Sequence, residues 1–542
     1  MNYTIDRFEQ QVRDALRDTE LIDPSAIVVE RPKANVPADL AFPTFRSARA
    51  QRTAPDTLAR EIAAAMRLPP GSLIGAVTAA GPFVNFQIAP SAFATSVLSE
   101  IETLGDAYGY DEIGSSQTVV IDYSSPNVAK RMHVGHIRST IIGQALANIL
   151  SALGFIVVRD NHLGDWGKSF GVLLAGIARE GLPAGEGERL LAALEDLYAR
   201  WSSAAEHDPA VDQDARDWGR RLEDGDPSAR QHWRQMVDLT VRVNQASYDR
   251  LGVHFDHVYG ESFYEPKLAG IIELVERSPV AHRDPSGALV VDLGQQLPTF
   301  LLQRSDGASL YHTRDLATIQ FRAETFDPAQ IIYVVGAPQE LYLRQLFALA
   351  EAVGIVHGTR LVHVPFGTVF DANGQALSTR RGNMVYLEDL LNEAHARARA
   401  TVDASHPDLP EAERDAIAEA VGIGAVIYND LHQDPRRSIT LDWDQMLAMD
   451  GESAPYIQYM YARCRSILRR AAAVAESPPA SPADLSLLAH PSEIDLIKQL
   501  GWLPQATREA GTRYAPNLIA TWCYETARLI AAFYRDCPVL RA

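Results

Sequence analysis

Residues 118–158 read TVVIDYSSPNVAKRMHVGHIRSTIIGQALANILSALGFIVV. Thr118 to Tyr123 is a short apolar run with the length of a buried strand. A loop carrying Pro126 follows. From Val134 to Leu153, Ile137, Ile141, Ala145, Ile149 and Leu153 recur at four-residue intervals, which predicts a helix. Gly154 is placed to stop it. Phe155 to Val158 reads as the next strand. Strand, helix and strand at this spacing predict a βαβ unit and hence a parallel sheet.

His133-Val134-Gly135-His136 falls on the turn from strand to helix. A helix N-terminus offers free N–H groups and the positive end of the helix dipole. Two imidazoles there add donors for phosphate oxygens as charge builds up on them. Gly135 removes a side chain, so a nucleotide can lie close to the backbone. Other phosphate motifs fail. Gly167-Lys168-Ser169 resembles the end of a P-loop, but His162 stands where its first glycine is required. No GxGxxG follows the first strand, which argues against dinucleotide binding.

Outward from this unit, 542 residues predict two to four domains. Residues 1–112 read as a small α/β domain: Phe8, Val12 and Leu16 recur at helical spacing, and Val84, Phe86 and Ile88 alternate like a strand. Residues 183–227 carry twelve acidic and five basic residues, a local charge of −7, and read as a helical insertion. Ile331 to Val335 and Leu361 to Val364 are the clearest later strands, and from about Leu387 the pattern is almost wholly helical. The expected division is therefore 1–112, a catalytic α/β domain over 113–390, and an all-α domain over 391–542.

The formal charge is −19, from 50 Lys and Arg against 69 Asp and Glu. Acidity of this size argues against a protein that simply coats DNA. Cys464, Cys523 and Cys537 are few and odd in number, without CxxC spacing, so neither a disulfide framework nor a cysteine zinc site is expected. No leader-like h-region and no run of about 18 apolar residues is present, so the expectation is a cytoplasmic protein without a membrane span.

The string from Asp122 to Ala145 closely resembles the arginyl-tRNA synthetases, a class I family. The likeness continues in order through NHLGDWG (161–167), EDGDP (223–227), SLYHTRD (309–315), LSTRRG (377–382), DWDQML (442–447) and APYIQY (454–459). It implies a Rossmann-like parallel-sheet catalytic domain, a small N-terminal α/β domain and an all-α anticodon-binding domain. It also implies ATP-dependent, AMP-forming ligation of L-arginine to tRNA(Arg), with Mg²⁺ accompanying ATP, no structural metal, and a monomer.

The resemblance assigns Asp122, Tyr311 and Asp315 to the arginine side chain, and Ser125, Asn127, His162 and Gln339 to the rest of that pocket. The assignment suits the substrate, because a guanidinium is a planar cation best held by carboxylates. Tyr311 and Asp315 are four apart, on one helical face. ATP falls to His133, Gly135, His136, Ser378 and Thr379, with Lys130, His133, His136, Arg380 and Arg381 as the charge-stabilising set. Ala376 stands where the KMSKS-type loop usually has its first lysine, and the resemblance implies that Lys130 substitutes for it. Transfer-RNA contacts fall on Asn85 and Phe86 in the N-terminal domain and on Tyr459, Arg463 and Arg465 near the C-terminus.

The chain departs from the family at Gln144, Ser169 and an abbreviated C-terminal end. These departures keep a second reading open: a paralogue that activates arginine or an analogue for a biosynthetic pathway. The charge is also uneven. Residues 451–542 carry ten basic and eight acidic residues, net +2, and seven basic residues crowd 31–67. Both stretches correspond to the family's tRNA-binding ends, around an acidic body.

Overall fold

The computed structural model describes residues 1–33, 35–377, 384–474 and 484–539. The chain divides into two compact units. One comprises Met1–Glu112, Tyr456–Ala510 and Leu518–Ala542; the other comprises Ile113–Pro455 and Gly511–Asn517.

In the first unit, Leu40–Pro43, Phe83–Ile88 and Ile74–Ala80 form an antiparallel sheet in that order. The amphipathic helix Thr4–Arg17 buries Phe8, Val12 and Leu16 against Val84, Phe86 and Ile88 of this sheet. Ile497 and Trp502 share the same apolar core.

The second unit is built on five parallel strands. Across the sheet they run Arg360–Phe366, Gln330–Gly336, Thr118–Asp122, Ile156–Leu163 and His257–Gly260. Alternation sends Val119 and Ile121 into one apolar cluster, with Ile137 and Ile141, and Val120 into another, with Leu316 and Leu346. Both faces are thus covered, as an all-parallel sheet requires. The predicted helix is present as Val134–Ala152, and both strands flanking it are in register.

The insertion is helical and has its own core. Helices Gly187–His207 and Pro209–Glu223 contribute Leu191, Leu194, Leu197 and Leu222, which pack with Phe170 and Met236. The boundary expected at 390/391 falls inside this unit. Leu390, Leu391 and Ala394 of helix Leu387–Ser405, and Ile423 and Val426 of helix Glu411–Leu431, join the core beneath the sheet. Helical periodicity alone does not say which core a helix joins. A small antiparallel sheet, Ala281–Arg283, Leu289–Val291 and Phe300–Gln303, was not anticipated. Among the described residues no helix is long and apolar enough to cross a membrane.

Candidate active site

From the first strand the chain moves to one side of the sheet and later returns to the other. Thr118–Asp122 therefore stands at a topological switch, where crevices open at the carboxyl ends of parallel strands. A cavity of about 500 Å³ lies there, lined by Asp122, His162, Gly336 and Phe366 from strand ends. It is also lined by Ser125, Asn127, His133, Gly135, His136, Glu261, Asp315, Gln339 and Tyr342.

The loop from Asp122 to the helix is held in an uncommon backbone. Ser124, Ser125 and Ala129 have φ values of 70°, 48° and 60°. Such left-handed geometry costs of order 1–3 kcal/mol per residue and persists only when neighbours impose it. Each of these residues donates its backbone N–H to a side-chain oxygen from another element: Ser139 at 2.9 Å, Asn161 at 3.1 Å and Thr240 at 3.0 Å.

His133 is the N-cap of the Val134–Ala152 helix. Its Nδ1 accepts from Gly135 N–H at 3.1 Å, while Nδ1 of His136 accepts from His133 N–H at 3.2 Å. An accepting Nδ1 leaves the proton on Nε2, so the neutral rings keep Nε2–H as a donor. Burial lowers both imidazoles, His136 to about 3, so both are neutral at pH 7. Glycine at 135 also has a need within the chain itself. A Cβ there would come within 2.8 Å of the His133 ring and push the cap aside.

The carboxylates sort into two classes. Asp122 already has a partner from within: its Oδ2 is 2.7 Å from Nη2 of Arg322, and its Oδ1 accepts from Ser125 Oγ at 2.8 Å. Arg322 is fully buried and also pairs with Asp160 at 2.8 Å. Among the described residues Asp315 has no such internal cation paired with it. Burial, with the charge of Asp122, pushes its carboxyl up to about 6 against the hydrogen bond donated by Tyr342. Glu261, raised to about 7 mainly by burial, is the second carboxyl, with Arg314 at 3.8 Å. His162 lines the cavity with neither ring nitrogen hydrogen-bonded among the described residues, and burial lowers it to about 4.

Of the expected arginine set, Ser125, Asn127, His162, Asp315 and Gln339 line the cavity, as does Asp122 in its paired form. Tyr311 does not. It begins helix Tyr311–Phe326 and is 68% exposed. Side chains on a helix lean toward its N-terminus, so a first-position ring passes beyond the face that carries Asp315. Lys130 also stands outside the lining and lies 5.0 Å over the Tyr198 ring. Ser378, Thr379, Arg380 and Arg381 lie outside the described residues. Asn85 and Phe86, expected among the tRNA contacts, are both buried. They are 5% and 0% exposed, Phe86 because its strand face is the core face. Tyr459 and Arg465 are exposed, and Arg463 lies 4.5 Å over the Tyr459 ring.

Gln144 is a structural residue. Its Oε1 accepts from Tyr123 Oη and His254 N–H, each at 3.0 Å, and it does not line the cavity. Ser169 is likewise absent from the lining. Sequence reasoning missed Glu261, Arg322 and Tyr342; none carries a local signal, because each reaches the site only through strand order and helix packing.

Three family descriptions match this chain. "tRNA synthetases class I (R), catalytic domain" spans residues 101–443, "DALR anticodon binding domain" 457–542, and "Arginyl tRNA synthetase N terminal domain" 6–88. The chain belongs to the arginyl-tRNA synthetases. An arginine–tRNA ligase of Chloroflexus aggregans is 57% identical over 542 residues, covering 100% of this chain and 94% of the relative. One from Lactococcus lactis subsp. cremoris is 37% identical over 521 residues, covering 96% and 90%. The solved arginyl-tRNA synthetase of Thermus thermophilus has a TM-score of 0.80 at 25% identity, over 98% of this chain and 94% of that one. That of Plasmodium falciparum shares the fold, with a TM-score of 0.79 at 20% identity over 98% and 93%. Within this family the α/β sheet is the catalytic body, and the helices from 457 onward form the DALR domain.

Proposed function

We propose that this chain is an arginine–tRNA ligase acting on L-arginine, ATP and tRNA(Arg). The observation that carries the reading is one cavity, at the carboxyl edge of a parallel sheet, lined by both the HVGH imidazoles and the Asp315 and Glu261 carboxyls. Asp315, held by Tyr342, takes the guanidinium as a cavity carboxylate with no ion pair among the described residues. A carboxylate oxygen of arginine then bonds to the α-phosphorus of ATP, the bond from that phosphorus to the bridging oxygen breaks, and pyrophosphate leaves. The ribose hydroxyl of the tRNA end next attacks the acyl carbon and releases AMP.

No side chain has to act as nucleophile; placement and charge stabilisation supply the rate. His133 and His136 donate Nε2–H to phosphate oxygens in this scheme, with Lys130, Arg380 and Arg381 supplying positive charge. Ser378 and Thr379 contact ATP. Mg²⁺ enters with the ATP phosphates as part of that substrate. Tyr459, Arg463 and Arg465 are proposed to meet tRNA, and the enzyme is proposed to act as a cytoplasmic monomer.

The test is incubation of the full chain with labelled arginine, ATP, Mg²⁺ and tRNA(Arg). Charged tRNA is expected, and pyrophosphate exchange without charging would overturn the reading.

A further inference from the structure

We infer that Arg131 is a positioning residue for the HVGH turn, clasped between the inserted helix Gly187–His207 and the Met384–Leu387 segment. The inference rests on the reading of that turn as the ATP phosphate site.

Residues 130–132 have no helical or strand hydrogen bonding of their own. Their backbone must therefore be satisfied from outside. Arg131 meets that need through a single carboxylate. Its backbone N–H donates to Oε1 of Glu195 at 2.6 Å, and its Nε donates to Oε2 at 2.7 Å. Fixing the main chain and the guanidinium on one group sets the direction of both. The pair is mostly covered, at 22% and 19% side-chain exposure, so it outweighs an ordinary surface ion pair.

The guanidinium also stacks on Tyr386, 3.5 Å from the ring centroid. Tyr386 in turn forms an antiparallel bridge with His133. The bridge is flanked by Val134 N–H to Val385 O at 3.0 Å and Leu387 N–H to Met132 O at 2.9 Å. The first imidazole of the motif is thus hung between two struts that meet at Arg131. Arg131 does not itself line the cavity and would act only through His133. The charged groups facing it are Glu195, Glu188 and, through Glu188, Glu388.

The consequence is for nucleotide rather than arginine. A displacement of about 1 Å at a reacting group can cost about 100-fold in rate. The test compares wild type with Arg131→Ala, Arg131→Lys and Glu195→Gln. Arginine-dependent pyrophosphate exchange is measured with tRNA(Arg) present, varying ATP and arginine separately. Calorimetry with the α,β-methylene analogue of ATP gives nucleotide affinity without turnover.

Arg131→Ala should lower kcat about 30- to 100-fold and raise the KM for ATP, with arginine KM held within about twofold. Arg131→Lys keeps the cation over Tyr386 but loses the fork, so it should fall between. Glu195→Gln keeps an acceptor for the N–H and should also fall between. Kinetics and analogue affinity within about threefold of wild type for Arg131→Ala would overturn the inference. So would equal rises in both KM values together with a lowered Tm, the mark of a merely structural residue. Should Arg131→Ala fail to fold, Glu195→Gln decides by the same criteria. If wild type charges no tRNA, the parent reading fails, and the analogue affinities of the variants still decide the role of Arg131.

Discussion

Asp315→Asn removes the charge that the proposed arginine site depends on while keeping the side chain's shape and an acceptor for Tyr342. The structure sets the scale. Asp315 faces the cavity, its carboxyl is raised to about 6 chiefly by burial, and the neighbouring Asp122 is already paired with Arg322. A guanidinium bound against the neutral amide of the variant would have lost its principal counter-charge in a poorly solvated place. Breaking such a pair costs about 3–5 kcal/mol, which is about two to nearly four orders of magnitude in kcat/KM for arginine. The raised carboxyl adds a pH signature. Binding needs the ionised form, so arginine KM should be flat above about pH 7 and rise about tenfold per pH unit below about pH 6. Asp315→Asn should abolish that dependence along with most of the activity. Pyrophosphate exchange from pH 5 to 8, with tRNA present and arginine varied, reads both effects. A loss below about tenfold, or a wild-type arginine KM unchanged between pH 7 and 5, would refute the assignment of this carboxylate.

Arg322→Met leaves Asp122 and Asp160 buried without a cation and should cost about 3–5 kcal/mol in a denaturant titration; adding Asp160→Asn should recover part of it. Glu188, raised to about 7 by burial and then by Glu388, binds a proton in the folded chain that it releases near pH 4.5 when unfolded. Its stabilising contribution is therefore full below about pH 4.5 and lost as pH rises through about 7. Only partly buried, it should account for about 1 kcal/mol after solvent screening, and Glu188→Gln should flatten that slope in stability measured across pH 5 to 8. His136→Ala should lower arginine-dependent pyrophosphate exchange by about 100- to 1,000-fold, the usual loss for one oxyanion donor. Because burial holds that ring near pKa 3, the wild-type rate should show no step from His136 between pH 5 and 8.

Much of the architecture is local and was therefore legible. The helix after the HVGH cap runs Val134–Ala152 where the four-residue recurrence placed it, and the strands at 118, 330 and 360 begin within a residue of the apolar runs that announced them. The same holds for part of the site. His133, Gly135 and His136 sit on a strand-to-helix turn whose geometry follows from sequence spacing, and Ser125, Asn127 and Asp315 belong to short motifs that travel with it.

By itself, then, the sequence determined the kinds of element, the order of the motifs and the family. Those properties depend on residues a few positions apart. Only the tertiary structure decided which charges are available. Asp122 and Asp315 look alike as letters, yet Arg322 pairs with one and not the other, because Asp315 stands seven residues earlier on Arg322's own helix while Asp122 and Asp160 meet the guanidinium from adjacent strands. Tyr311 shares a helical face with Asp315 and still falls outside the cavity, because the helix begins there. Arg131 gains its place only when an inserted helix and the Met384–Leu387 segment close on it from two directions. Periodicity records which way a side chain points along its own element. Which distant group meets it there is settled by long-range packing.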